Sequence, residues 1–153
     1  MQLTPGQLRN TVRLSKETFR HWKRVLPAMK GRRGRSTAFS AGDAVALSIL
    51  RVLTNDWGIQ IGRLGDVSTE VFRLCNGTPW VALERSTLQI DVPKRRCRLL
   101  KKPIDADETV LQCPLGPILR YLREEFLRTD LLRAQAELRL PPVPLRRRST
   151  GAA

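Results

Sequence analysis

Apolar residues recur at helical spacing through the first half of the chain and again near its end. A block of short β-prone runs lies between. Thr4 precedes Pro5 and Gln7 follows three residues on, so a capping box opens a short helix over Pro5 to Val12. That helix would bury Leu8 and Val12, with Leu3 as a staple. Ser15 caps a second helix with Thr18 at its third position, and Phe19, Trp22 and Val25 or Leu26 form its inward face. Pro27 has no N–H to continue it, so it ends near Val25. Two or three residues, Arg13 and Leu14 among them, separate the helices, which is the spacing of a helix-turn-helix.

Lys30 to Phe39, KGRRGRSTAF, opens on glycines and arginines and closes on a strand-like run; it reads as a hairpin, or wing. Ser40 and Asp43 form the next capping box, and a third helix runs from about Ala41 to Asp56. Its core stripe is Ala46, Ile49, Leu50, Leu53 and Trp57. Gly58 ends it. A fourth helix over Gln60 to Cys75 would bury Ile61, Leu64, Val67, Val71, Phe72 and Cys75, and Asn76-Gly77 stops it.

Trp80–Glu84, Thr87–Val92, Cys97–Leu100 and Thr109–Cys113 are then read as strands of a small antiparallel sheet, broken at Pro79, Arg85-Ser86, Pro93 and Pro103 to Asp107. From Gly116 the pattern is helical again. Leu115, Ile118, Leu119, Leu122 and Phe126 form one stripe, and Leu127, Leu131, Ala134 and Leu138 a second. A face this broad needs cover from the chain's own sheet or from a second subunit. Pro141-Pro142 ends the helix. The expected fold is α+β in three parts. A winged helix-turn-helix domain spans 1–77, a sheet-plus-helix region for dimerisation or an effector spans 78–140, and a disordered basic tail spans 141–153.

Charge changes the picture from fold to partner. The formal net charge is +14 over 153 residues, a surplus that calls for a polyanion such as nucleic acid or an anionic membrane surface. Much of it is clustered near the start: Arg9, Arg13, Lys16, Arg20, Lys23, Arg24, Lys30, Arg32, Arg33 and Arg35 face Glu17 alone in the first 39 residues. Solubility alone would spread charge evenly. A second basic run, Lys94 to Lys102, either extends the footprint or guards a sheet edge. No apolar run approaches the ~20 residues that span a bilayer, and MQLTPGQLRN lacks the apolar core of a signal peptide. A cytoplasmic protein with no membrane partner is expected.

Catalytic and metal chemistry find little to work with. The chain has no G-x-S-x-G, P-loop or H-E-x-x-H. Cys75, Cys97 and Cys113 are odd in number and far apart, without C-x-x-C or Cys-His spacing, and read as buried free thiols. His21 is the only histidine and sits among cations, so a backbone or phosphate contact suits it better than catalysis. Asp105, Asp107 and Glu108 fall in a turn, as solvated groups or partners of Lys101 and Lys102. No enzyme activity, cofactor or metal is expected.

The order of elements — helix, turn, cationic helix, basic wing, then a helix opened by F-S-x-x-D — resembles the MerR-type winged helix-turn-helix family. The family's recognition helix runs approximately S-x-x-T-[LF]-R-x-[WY], matched by Ser15, Thr18, Phe19, Arg20, His21 and Trp22. Its post-wing aromatic, Ser and Asp are matched by Phe39, Ser40 and Asp43, and Gly58-Ile59-Gln60-Ile61 fits the start of its next helix pair. The resemblance covers about residues 3 to 75. It departs at the wing, where Gly34 to Phe39 is one residue longer from glycine to aromatic.

The resemblance implies that Arg20 is the main groove-reading residue, worth about 1–3 kcal/mol of discrimination if bidentate to guanine. Lys16, Thr18, His21, Lys23, Arg24, Lys30 and the wing residues Arg32, Arg33 and Arg35 complete the expected DNA-binding set. Lys16, Lys23 and Lys30 would meet phosphates, and the wing arginines phosphate or the minor groove. The expected function is a sequence-specific, homodimeric transcriptional regulator of double-stranded DNA. Its effector, if any, is not legible. The alternatives are an excisionase-like or small-terminase-like architectural protein of a mobile element, or an antitoxin-like interaction protein.

Overall fold

The computed structural model describes residues 1–32, 38–103 and 109–137, with side chains described as far as Asp130. The fold is mixed α+β, as expected, with a C-terminal helix following a small antiparallel sheet. Strand β1 (Gln2–Leu3) leads into α1 (Pro5–Val12). The Thr4 hydroxyl accepts the Gln7 N–H at 3.3 Å and the Gln7 side chain accepts the Thr4 N–H at 2.9 Å, so both halves of the capping box form. Arg13 takes a left-handed conformation with φ 57° to end the helix, and α2 (Lys16–Val25) begins after Ser15.

Strand β2 (Phe39–Ser40) pairs antiparallel with β1, Leu3 opposite Phe39. This pairing joins the start of the chain to the end of the Lys30–Phe39 run, whose residues 33–37 lie outside the described residues. Helix α3 (Ala41–Arg51) is buried along nearly its whole length, and α4 (Gly65–Gly77) lies against it. Between them Val52–Asp56 forms a π turn and Ile61–Leu64 a 3-10 turn.

The π turn corrects the reading of Trp57, which leaves the core stripe and is 41% exposed. Its N–H bonds the carbonyl of Val52, five residues back. The wider turn falls behind the 3.6-residue period and carries Trp57 off the buried face.

A second correction concerns Trp80–Glu84, which forms a short helix, α5, rather than a strand. The Pro79 carbonyl accepts the N–H groups of Ala82 and Leu83 at 3.0 Å, and Leu83 alone in the segment is buried. One inward residue in five fits a helical turn and not a pleated strand. Trp80 packs on Phe126, ring centroids 6.0 Å apart.

The sheet has the order β4 (Arg96–Leu100), β3 (Thr87–Asp91), β5 (Leu111–Pro114), all antiparallel. Leu88 is opposite Leu99 and Cys113, and Ile90 is opposite Cys97 and Leu111, so one face presents an apolar layer to α4. Helix α6 (Gly116–Glu137) follows and buries Leu119, Leu122 and Phe126. The rest of its second stripe, Leu131, Ala134 and Leu138, lies beyond the described side chains, as do Asp105, Asp107, Glu108 and the basic tail. A single apolar cluster runs from Leu3 and Leu8 through Ile49, Leu50 and Leu88 to Phe126. Each fully buried leucine contributes about 1.5–3 kcal/mol of burial, and this core holds α2 in place.

Candidate nucleic-acid interface

Helix α2 is fixed at its start by Ser15, whose hydroxyl accepts the Thr18 N–H at 3.0 Å and donates to the Thr18 hydroxyl at 2.8 Å. Thr18 is therefore half-buried and engaged in the cap. Phe19 and Trp22 face inward, and Phe19 meets Phe39 edge-on with centroids 6.2 Å apart. With this face buried, Lys16, Arg20, Lys23 and Arg24 fall within roughly 100° of arc on the outer side of the helix. Lys16, Arg20, His21 and Arg24 are exposed; Lys23 lies partly over the Phe19 ring, with Nζ 5.9 Å from its centroid. The last-turn position of Lys23 and Arg24 also suits the negative end of the helix dipole.

After Val25 the chain reverses. Leu26 is extended and buried, and Pro27–Met29 form a 3-10 turn, with Met29 donating to the Leu26 carbonyl at 3.0 Å and Lys30 to that of Pro27 at 3.1 Å. Gly31 adopts φ +82°, a conformation that side chains resist, so the direction of the turn depends on glycine here. The reversal brings Lys30 and Arg32 back beside the end of α2. An open cleft of about 420 Å³ results, lined by Arg20, Lys23, Arg24, Met29, Lys30, Gly31 and Arg32. Buried Met29 contributes to its lining, and among the described residues no carboxylate does.

The structure thus brings together Arg20, Lys23, Arg24, Lys30 and Arg32. Lys16 and His21 stand on α2 outside the cleft, and Arg33 and Arg35 lie outside the described residues. Arg32 differs from the other cations. Its guanidinium Nη1 is 2.6 Å from Oδ2 of Asp43 and its Cζ is 5.3 Å from the centroid of Phe39. Sequence reasoning missed Met29 and gave Gly31 only a turn role, since only the Pro27–Met29 turn makes them part of the site. The break at Pro27 was the available signal.

The second basic run is differently balanced. Arg95 pairs with Asp66 at 2.8 Å, Lys94 with Asp91 at 3.7 Å, and Arg98 bonds the Gln89 side chain. Cys75 and Cys113 are buried and Cys97 half-buried in the apolar layer between α4 and the sheet. Burial pushes Cys75 and Cys97 up to about 12 and Cys113 to about 11, and Cys75 also feels the other two. Thiols held this firmly in the protonated form are poor nucleophiles. Among the described residues no three His, Cys, Asp or Glu side chains are grouped to hold a metal ion, and no helix is long and apolar enough to cross a membrane.

Comparison with family models, with curated proteins and with solved structures gives no match for this chain.

Proposed function

We propose that the protein binds double-stranded DNA as a sequence-specific transcription regulator, with α1 and α2 as a helix-turn-helix and α2 entering the major groove. The observation that carries this reading is the convergence of Arg20, Lys23, Arg24 and Lys30 on one cleft with no carboxylate lining it among the described residues. Cations so placed would repel one another less when a polyanion lies among them, and their counterion release would drive binding. A ten-residue helix such as α2 is about 15 Å long, a scale suited to a groove about 12 Å wide.

Arg20, near the middle of the exposed arc, is the residue proposed to read a base edge. Lys23, Arg24 and Lys30 hold the backbone. The chain acts as a homodimer through α6, where Leu127 follows the last described core residue of that helix and is 58% exposed. Two copies would read half-sites about one helical turn apart. Selection of bound duplexes from a random library at fixed salt tests the reading: a recurrent motif is expected, and binding without preference would remove the regulator role.

A further inference from the structure

Asp43 is only 2% exposed and each of its oxygens is occupied. Oδ2 accepts Nη1–H of Arg32 at 2.6 Å and the Ser40 N–H at 2.9 Å, and Oδ1 accepts Nδ2–H of Asn76 at 3.0 Å. Asn76 also donates to the Phe72 carbonyl at 2.9 Å and accepts the Ser40 hydroxyl at 2.5 Å. The end of α4 is thereby bonded to the start of α3 and, through Asp43, to Arg32. The packing around this network has no slack. A Cβ on Gly42 would lie 2.6 Å from Oδ1 of Asn76 and 2.8 Å from the Cys75 carbonyl oxygen.

Arg32 and Phe39 stand on either side of residues 33–38 in the chain. They are in contact with each other, and both are anchored: Arg32 on Asp43, Phe39 in the core against Phe19. A buried carboxylate needs a paired cation, and the planar guanidinium fills that role while lying over the Phe39 ring. Its charge is thus used inside the protein rather than left for a ligand.

We infer that Arg32 is a positioning residue for the cleft: by pairing with Asp43 and lying over the Phe39 ring it fixes where Lys30 stands against α2. This inference rests on the DNA-binding reading for its consequence, but not for its geometry. The rival role for Arg32, direct contact with phosphate, makes different predictions for the same variants.

The test uses full-length protein carrying Arg32→Gln, Arg32→Lys, Asp43→Asn or Lys30→Ala, with two readouts. The first, without DNA, is hydrogen exchange of the Ser40 amide, which bonds Asp43. Arg32→Gln should speed it about tenfold, the scale of one charge-assisted hydrogen bond, and Arg32→Lys should restore part of the protection. The second is duplex affinity as a function of salt. Arg32→Gln and Asp43→Asn should each weaken binding about tenfold with an unchanged salt slope, whereas Lys30→Ala should shallow the slope by about 0.9.

A slope shallowed by about 0.9 in Arg32→Gln, with Ser40 exchange unaltered, would overturn the inference and make Arg32 a phosphate ligand. Should Asp43→Asn fail to fold, the Arg32 variants still decide, because Arg32 caps no helix. If the unaltered protein binds no duplex, the DNA reading falls and with it the consequence for binding. Ser40 exchange then still decides whether Arg32 holds the Asp43 network in place.

Discussion

Tyr121 of α6 donates its hydroxyl hydrogen to the carbonyl oxygen of Thr11 at 2.8 Å, and Arg13 lies over the same ring with Cζ 4.8 Å from its centroid. The C-terminal helix thus grips the end of α1 and the turn that launches α2, 110 residues earlier in the chain. Tyr121→Phe keeps the ring and the stacked arginine but leaves a carbonyl without its partner. Urea unfolding should show a loss of about 1 kcal/mol. Tyr121→Ala, which also removes the ring, should cost more, and equal losses would mean the hydroxyl carries the whole contact.

Ser15 is the sole side-chain cap of the helix that bears the cleft cations. Ser15→Ala should destabilise the fold by about 1 kcal/mol, and Ser15→Asp, which keeps an acceptor, should restore most of it. Equilibrium unfolding of the three proteins at neutral pH measures both effects.

Gly42 packs under the end of α4 with no room for a methyl group. Gly42→Ala must push back Asn76 and the Cys75 carbonyl, at a cost of about 1–3 kcal/mol. A helical glycine ordinarily gains stability on replacement by alanine, so a stabilised variant in urea would show that the α3–α4 packing around this first-turn glycine is looser than described.

Burial raises the Cys75 thiol to about 12 from an ordinary value of 9.0. Above pH 9 the unfolded chain loses this proton while the folded chain keeps it. The unfolded state then binds fewer protons, and stability falls as pH rises toward 12. At pH 10.5 the contribution lost is about 2 kcal/mol. The stability difference between the unaltered protein and Cys75→Ala should therefore shrink by about that amount between pH 8 and pH 10.5. A difference independent of pH would contradict the assigned burial.

Much of this architecture is written locally. Thr4-Pro5-Gln7, Ser15-Thr18 and Ser40-Asp43 place the starts of α1, α2 and α3, because a cap needs only neighbours in sequence. The features that escaped depend on distant partners or on small changes of helical pitch. Trp80–Glu84 is a short β-prone apolar run that passes for a strand, and only its packing under Phe126 favours a helical turn. Trp57 leaves its stripe through one π turn. The pairing of Leu3 with Phe39 joins two-residue strands too short to carry a pattern.

The candidate site shows the same division. The positive charge and the outward face of α2 are legible from the spacing of Phe19 and Trp22. The cleft is not, because it forms only when Pro27–Met29 fold Lys30 and Arg32 back onto that face. The engagement of Arg32 by Asp43, eleven residues on, was likewise hidden in a run where every cation looks equivalent.

The central claim is that the cleft cations bind the phosphates and bases of duplex DNA. Its most direct test is the slope of log affinity against log salt for the unaltered protein and for the variant in which Arg20, Lys23, Arg24 and Lys30 are all alanine. These side chains lie outside the core, so the thermal midpoint should hold. The account predicts strongly salt-dependent binding whose slope shallows by about 3–4 units in the variant. Binding with an unchanged slope, or no binding by the unaltered protein at low salt, would contradict it.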